Sequence, residues 1–242
     1  LGAVPPGCPF VQRFDLAGVL RAAQLNVVRR LRGAGDVVLP TLGLLDVARL
    51  HCFDADARNH VVAVLRSQPE IEIVAARVDT RVEVFAGPAE AAIHRRAAGQ
   101  GPPLFRYEPR RGDPLELAPA CAALRAAGEM DGDGFATARA WLRATADAPF
   151  PAAPQRLWEG LFSISREQPD VVVSLADGWY VGSGLLSRFV RMQGTHGGLH
   201  RRVSETFVMA THLEFDSPTD LPAVADQLRR TYAWPLRRDA PA

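Results

Sequence analysis

Apolar and polar residues alternate from Ile71 to Arg77 and again from Val82 to Phe85, with Asp79-Thr80 between the two runs. A period of two on either side of a short polar turn predicts a β-hairpin. Ala91-Ala-Ile-His94 predicts a third strand and Leu104-Phe-Arg-Tyr107 a fourth. Together they predict a small antiparallel meander over about 70–108.

A helical period appears elsewhere. Leu16, Val19, Leu20 and Ala23 fall at i, i+3, i+4 and i+7, with Asp15 at the N-terminal end, which predicts a helix over Phe14–Ala23. Leu44 to Leu50 reads as a short helix. A longer one reaches about Ser67, capped by Asp54 or Asp56, with Val61, Val62, Val64 and Leu65 as its apolar stripe. Further helices are expected around Ala118–Ala127, Ala136–Thr145, Pro154–Phe162 and Asp220–Tyr232. Leu25–Val28 and Val37–Leu39 read as short strands on either side of the turn Gly33-Ala-Gly-Asp36. Asp170-Val-Val-Val-Ser-Leu175 is a continuous β-branched run, the pattern of a central parallel strand. Phe207-Val-Met-Ala210 reads as another strand, while Leu1–Pro9 and the tail from Trp234 read as loops. Strands alternating with helices, plus one meander, predict an α/β fold with an inserted β element.

Composition narrows the function classes. The chain has 242 residues, 48% hydrophobic and 23% charged, enough for a globular protein with a real core. The formal net charge of +1 gives no bulk attraction to nucleic acid or to a membrane surface. All 28 basic residues are arginine, so every permanent positive charge is a planar guanidinium. Cys8, Cys52 and Cys121 are far apart and show no paired spacing, which argues against a zinc knuckle or disulfide scaffold. A reducing, cytoplasmic location is the default expectation. No apolar run approaches the ~18 residues a membrane-spanning helix needs.

Most familiar catalytic patterns are missing from the sequence. It has no GxSxG elbow, no Walker A sequence and no GxGxxG after a strand, and Gly182-Ser-Gly184 is a small-residue turn. Asp131-Gly-Asp-Gly134 resembles a calcium loop but lacks the later ligands and bidentate Glu of an EF-hand, so a plain acidic turn is expected. His51, His60, His94 and His212 sit where an ordinary surface or half-buried imidazole is routine. His196 and His200 are four apart, but Gly197-Gly198 between them argues against a helical zinc pair. Gly194-Thr-His-Gly-Gly198 stands out, between the strand-like runs Ser187–Met192 and Phe207–Ala210. Glycines beside a histidine let backbone come close and leave one ring nitrogen free for a ligand. The bland reading of the same residues is a turn. Arg188, Arg191, Arg201 and Arg202 flank the loop, either as a solvated face or as an anion-attracting rim.

Several segments occur in an order that resembles a known family. They are Arg13-Phe-Asp-Leu16 running on to Ala22, Gln68-Pro-Glu-Ile-Glu-Ile-Val74 and Ala89-Glu-Ala-Ala-Ile93. Then follow Phe105-Arg-Tyr-Glu-Pro109 with Gly112-Asp-Pro-Leu115, and Pro149-Phe-Pro-Ala-Ala-Pro154 with Arg156-Leu-Trp158. Asp170-Val-Val-Val-Ser174 with Gly178-Trp-Tyr180, and Gly194-Thr-His-Gly-Gly-Leu199, complete the series. In this order the chain resembles the C-terminal part of an alkaline-phosphatase-superfamily enzyme, of the type I phosphodiesterase/nucleotide pyrophosphatase-like group.

The resemblance implies a partial alkaline-phosphatase-like α/β/α sandwich over residues 1–242. It also implies two divalent metal ions, zinc or manganese by ligand chemistry, and a small phosphate-ester substrate. In such enzymes a Thr or Ser attacks phosphorus and two metals stabilise the attacking and leaving oxygens. The last ligand comes from a glycine-flanked histidine, and His196 is the residue that matches it. The family's early nucleophile region and its Asp-His-Gly motif have no counterpart in these residues. The expectation is therefore a fragment, inactive as an isolated chain, with its nucleophile encoded upstream. A non-catalytic α/β interaction module is the alternative.

Overall fold

The computed structural model describes residues 11–41, 43–99, 101–162, 167–189 and 192–232. The chain divides into two compact units between Glu205 and Thr206.

The larger unit opens with β1 (Gln12–Arg13), α1 (Leu16–Ala22), β2 (Asn26–Val28), β3 (Asp36–Val38), β4 (Leu44–Leu45), β5 (Val47–Cys52) and α2 (Ala55–Leu65). The meander follows as β6 (Ile71–Val78), β7 (Arg81–Ala86), β8 (Ala89–Ala98) and β9 (Gly101–Arg111). After it come α3 (Ala118–Ala126), β10 (Ala136–Thr137), α4 (Ala138–Ala144), α5 (Ala153–Phe162), β11 (Val171–Leu175), β12 (Trp179–Gly182) and the single-turn α6 (Arg201–Ser204). Nine strands form one sheet in the order β10-β9-β8-β7-β6-β11-β5-β3-β2, and β1-β12-β4 form a second, small one. Most neighbours are antiparallel, but β2–β3 and β1–β12 are parallel, so this is a mixed α/β fold.

Local chemistry explains these elements. Val78 pairs with Arg81 across Asp79-Thr80, and Asp79 takes the left-handed backbone at φ 50° that Asp tolerates better than most residues. Asp54 caps α2 by accepting the Ala57 N–H at 2.7 Å. The pleat of β6 divides it between two cores. Ile73 and Ala75 pack with Leu124 of α3, Trp141 of α4 and Leu157 and Leu161 of α5. Val74 and Ala76 pack with Leu16 and Leu20 of α1 and Val61 and Leu65 of α2. Helices thus cover both faces of the large sheet. Trp141 is fully buried, and its indole N–H donates to the Phe105 carbonyl at 2.9 Å, so its polar atom is satisfied.

Three expectations are corrected. The run 170–175 is central, but both of its neighbours, β5 and β6, are antiparallel to it. Its continuous apolar character reports burial on both faces, which the two helical layers supply without parallel pairing. Leu44–Leu50 is not a helix. It forms β4 and β5, because β11, β3 and β12 offer backbone partners on either side. Phe207–Ala210 is not a strand, and Phe207 and Met209 are 77% and 84% exposed. An apolar run without a neighbouring ladder has nothing to hold it extended in a sheet.

The smaller unit, described by itself, contains α7 (Leu221–Tyr232). Asp220 starts this helix by accepting the Ala223 N–H at 2.8 Å, and Gln227 donates to the Glu214 carbonyl. The expected loops at 1–9 and from Trp234 lie outside the described residues. Among the described residues no helix is long and apolar enough to cross a membrane.

Candidate functional site

The Gly194–Leu199 loop has no regular secondary structure, and the 3-10 turn Leu186–Arg188, not a strand, precedes it. Its backbone is nonetheless held from several directions. Thr195, buried at 4% exposure, donates its hydroxyl to the Leu44 carbonyl at 3.2 Å. The Gly198 N–H donates to Asp46 Oδ1 at 2.6 Å, and the Leu199 N–H donates to Ser174 Oγ at 2.9 Å. The Arg156 guanidinium reaches from α5 and donates to the carbonyls of Gly198, Leu199 and Pro151 at 2.9, 2.8 and 3.1 Å. Leu199 itself is buried in the core beneath α5.

Two glycines are needed here for different reasons. Gly197 has φ +108°, a backbone that side chains disfavour, and a Cβ there would meet Val47 Cγ1 at 3.1 Å. At Gly198 a Cβ would lie 3.0 Å from Asp46 Cγ and 3.1 Å from Ser174 Oγ. A side chain at Gly198 would therefore push away the two acceptors that hold the loop. His196, between Thr195 and these glycines, is exposed. The arrangement presents an imidazole to solvent from an anchored backbone.

The neighbourhood beneath the loop is acidic and partly desolvated. Asp46 is 4% exposed, and burial raises its carboxyl above the usual range, against the lowering effect of the Gly198 hydrogen bond. Glu72 on β6 is pushed up to about 7, first by burial and then by the charges of Asp177, Glu116 and Asp46, with Arg202 opposing. Its Oε2 is buried without a hydrogen-bond partner. The cavity against Asp46, Asp177, Thr195 and His200 is about 10 Å³, room for roughly one water. A ligand larger than water would have to meet His196 on its exposed side.

The structure separates the other candidates from His196. His200 caps α6, its Nδ1 accepting the Arg202 N–H at 3.2 Å, and its ring stands edge-on to Phe150. Arg202 pairs with Asp177 at 2.8 Å, and Arg201 with Asp147 at 3.3 Å and with Glu205. Both arginines are thus engaged by surface carboxylates. Arg188 is exposed, and Arg191 lies outside the described residues. His94 Nε2 lies 2.9 Å from Glu108 but outside hydrogen-bonding geometry, and burial holds its pKa down. His51 lies on β5, His60 on α2 and His212 on exposed chain. Asp131 folds its own turn by accepting the N–H groups of Asp133 and Phe135, and Arg96 pairs with both carboxylates there. Cys52 and Cys121 are buried, which pushes the Cys52 thiol up to about 12 and raises that of Cys121, against the thiolate a nucleophile needs. Cys8 lies outside the described residues.

No motif marks Asp46, Ser174 or Arg156 as an anchor of this loop. The available signal was a polar residue inside an apolar run: Asp46 between Leu45 and Val47, and Ser174 between Val173 and Leu175. Among the described residues no three His, Cys, Asp or Glu side chains come together to hold a metal ion. The Gly194–Leu199 loop therefore supplies one exposed imidazole, His196, and among the described residues no two-metal ligand set forms around it. No family model, no curated protein and no solved structure matches this chain.

Proposed function

We propose that this chain supplies one metal ligand, His196, to a metal-dependent phosphohydrolase of the alkaline-phosphatase superfamily. The observation that carries the reading is the exposed His196 on a loop whose backbone is held by Asp46, Ser174, Thr195 and Arg156. Fixing the backbone on both sides of an imidazole lowers the entropy lost when that imidazole binds a ligand. In this reading the helices on the two faces of the large sheet belong to an alkaline-phosphatase-like sandwich. The further ligands and the nucleophile come from outside these 242 residues. The chain's own residues hold and orient His196, and no chemical step is assigned to them. The substrate would be a phosphate monoester, diester or pyrophosphate, and the metals zinc or manganese.

The test compares the complete gene product with its His196→Ala variant. Metal content and hydrolysis of bis-p-nitrophenyl phosphate should both fall in the variant, while the isolated 242-residue chain should not turn over this ester. Unchanged metal content and turnover in His196→Ala would remove the ligand assignment. Zinc-dependent turnover by the isolated chain would remove the division of the site.

The alternative, a non-catalytic interaction module, draws support from a separate observation. Leu185, Leu186 and Phe189 are 65%, 49% and 80% exposed within one short segment, the composition of a contact surface.

A further inference from the structure

A cleft of about 410 Å³ lies between β5, β12 and the start of α1. Its size falls in the range of small-molecule sites. The pleat of β5 builds one wall. Ala48, Leu50 and Cys52 turn into the core with α1 and α2, which leaves Val47, Arg49 and His51 lining the cleft. Phe14, Leu45 and Val181 contribute further apolar wall.

The charges around it are unequally matched. Arg13 lies 3.6 Å from Asp15, so that pair offsets itself. Glu167, the other carboxylate on the cleft, has a partner of its own. Arg49 is exposed and has no ion pair or hydrogen bond among the described residues, and His51 stands two positions along the same face. An unopposed guanidinium beside a largely apolar wall suits a ligand that is apolar at one end and anionic at the other.

We propose that this cleft binds a small amphipathic anion. Its apolar ring rests on Phe14, Leu45, Val47 and Val181, and its phosphate or carboxylate on Arg49 and His51. The site goes beyond the metal-ligand reading of His196 and stands without it. The two are nevertheless adjacent, because Val47 lines the cleft and is also the side chain that a Cβ at Gly197 would meet.

The experiment is a calorimetric titration of the chain with 1-naphthyl phosphate, 1-naphthol and inorganic phosphate, with a chelator present. 1-Naphthyl phosphate should bind about tenfold or more tightly than either part-molecule, and Arg49→Ala should weaken it about tenfold without affecting 1-naphthol. Arg49→Gln is the second variant should Arg49→Ala fail to fold, as judged by circular dichroism. His196→Ala should leave this titration unchanged, so the cleft and the metal-ligand reading fail separately. Binding of 1-naphthyl phosphate no tighter than inorganic phosphate would overturn the proposal. So would binding that the folded Arg49 variant retains.

Discussion

Two of the stretches without regular secondary structure, Gly194–Leu199 and Thr206–Ala210, differ in what surrounds them. In Gly194–Leu199 the backbone ends on buried or half-buried polar partners: Asp46, Ser174, the Leu44 carbonyl and Arg156. In Thr206–Ala210 every side chain after Thr206 is apolar, yet Phe207 and Met209 stand in solvent. Apolar content by itself gives the second stretch no place in a sheet, whereas a few well-placed hydrogen-bonding groups hold the first. A fixed loop is therefore recognised by where its N–H and C=O groups end.

Removing the cation that grips the first stretch should break this contrast most sharply. Arg156→Ala leaves the Gly198 and Leu199 carbonyls without their charged donor and should cost about 3 kcal/mol, read as a shift in the urea midpoint. The Gly194–Leu199 amides should lose hydrogen-exchange protection in the same variant.

A pH effect of about 2 kcal/mol is expected from Glu72, reduced by solvent screening of the part-exposed carboxyl. Its pKa is raised in the folded protein, from 4.5 to about 7. Between those values the folded state holds more protons than the unfolded state, so stability falls as pH rises through that window. Burial shifts Asp46 in the same direction, so its own contribution has the same sign. Urea melts across this range should show the slope, and Glu72→Gln should flatten most of it. A slope that Glu72→Gln leaves intact would assign the effect elsewhere.

Asp46→Asn should be milder, about 1 kcal/mol, because an amide oxygen still accepts from Gly198 but without charge. Thermal melts at neutral pH would show it, and a variant as stable as the parent would mean that this contact does not hold the loop. At the other end of the scale, Phe207→Ser should change stability by less than about 0.5 kcal/mol, since so exposed a ring contributes little. A large loss there would show that Phe207 is buried against something in solution.

Much of the fold was legible because it is local. The alternation from Ile71 to Tyr107 places β6 to β9, and the stripe ending in Leu65 places α2 beneath an Asp54 cap. The errors share one cause. Leu44, Leu45, Val47 and Leu50 fit a helical stripe as well as a strand, and partners far along the chain, in β11 and β12, decide between them. The 171–175 run announced burial on two faces but could not announce the direction of its neighbours. The site was less legible still. His196 could be singled out from its glycines, but Asp46 meets Gly198 across 152 positions and Arg156 meets it across 42. No local pattern encodes contacts at that separation.

The held loop is proposed to present His196 to a metal. Paramagnetic proton NMR of the cobalt-substituted complete gene product tests it most directly. The account predicts a His196 ring N–H resonance shifted far outside the diamagnetic range, and its loss in His196→Ala. A His196 resonance at its ordinary position, in protein that has taken up cobalt, would contradict it.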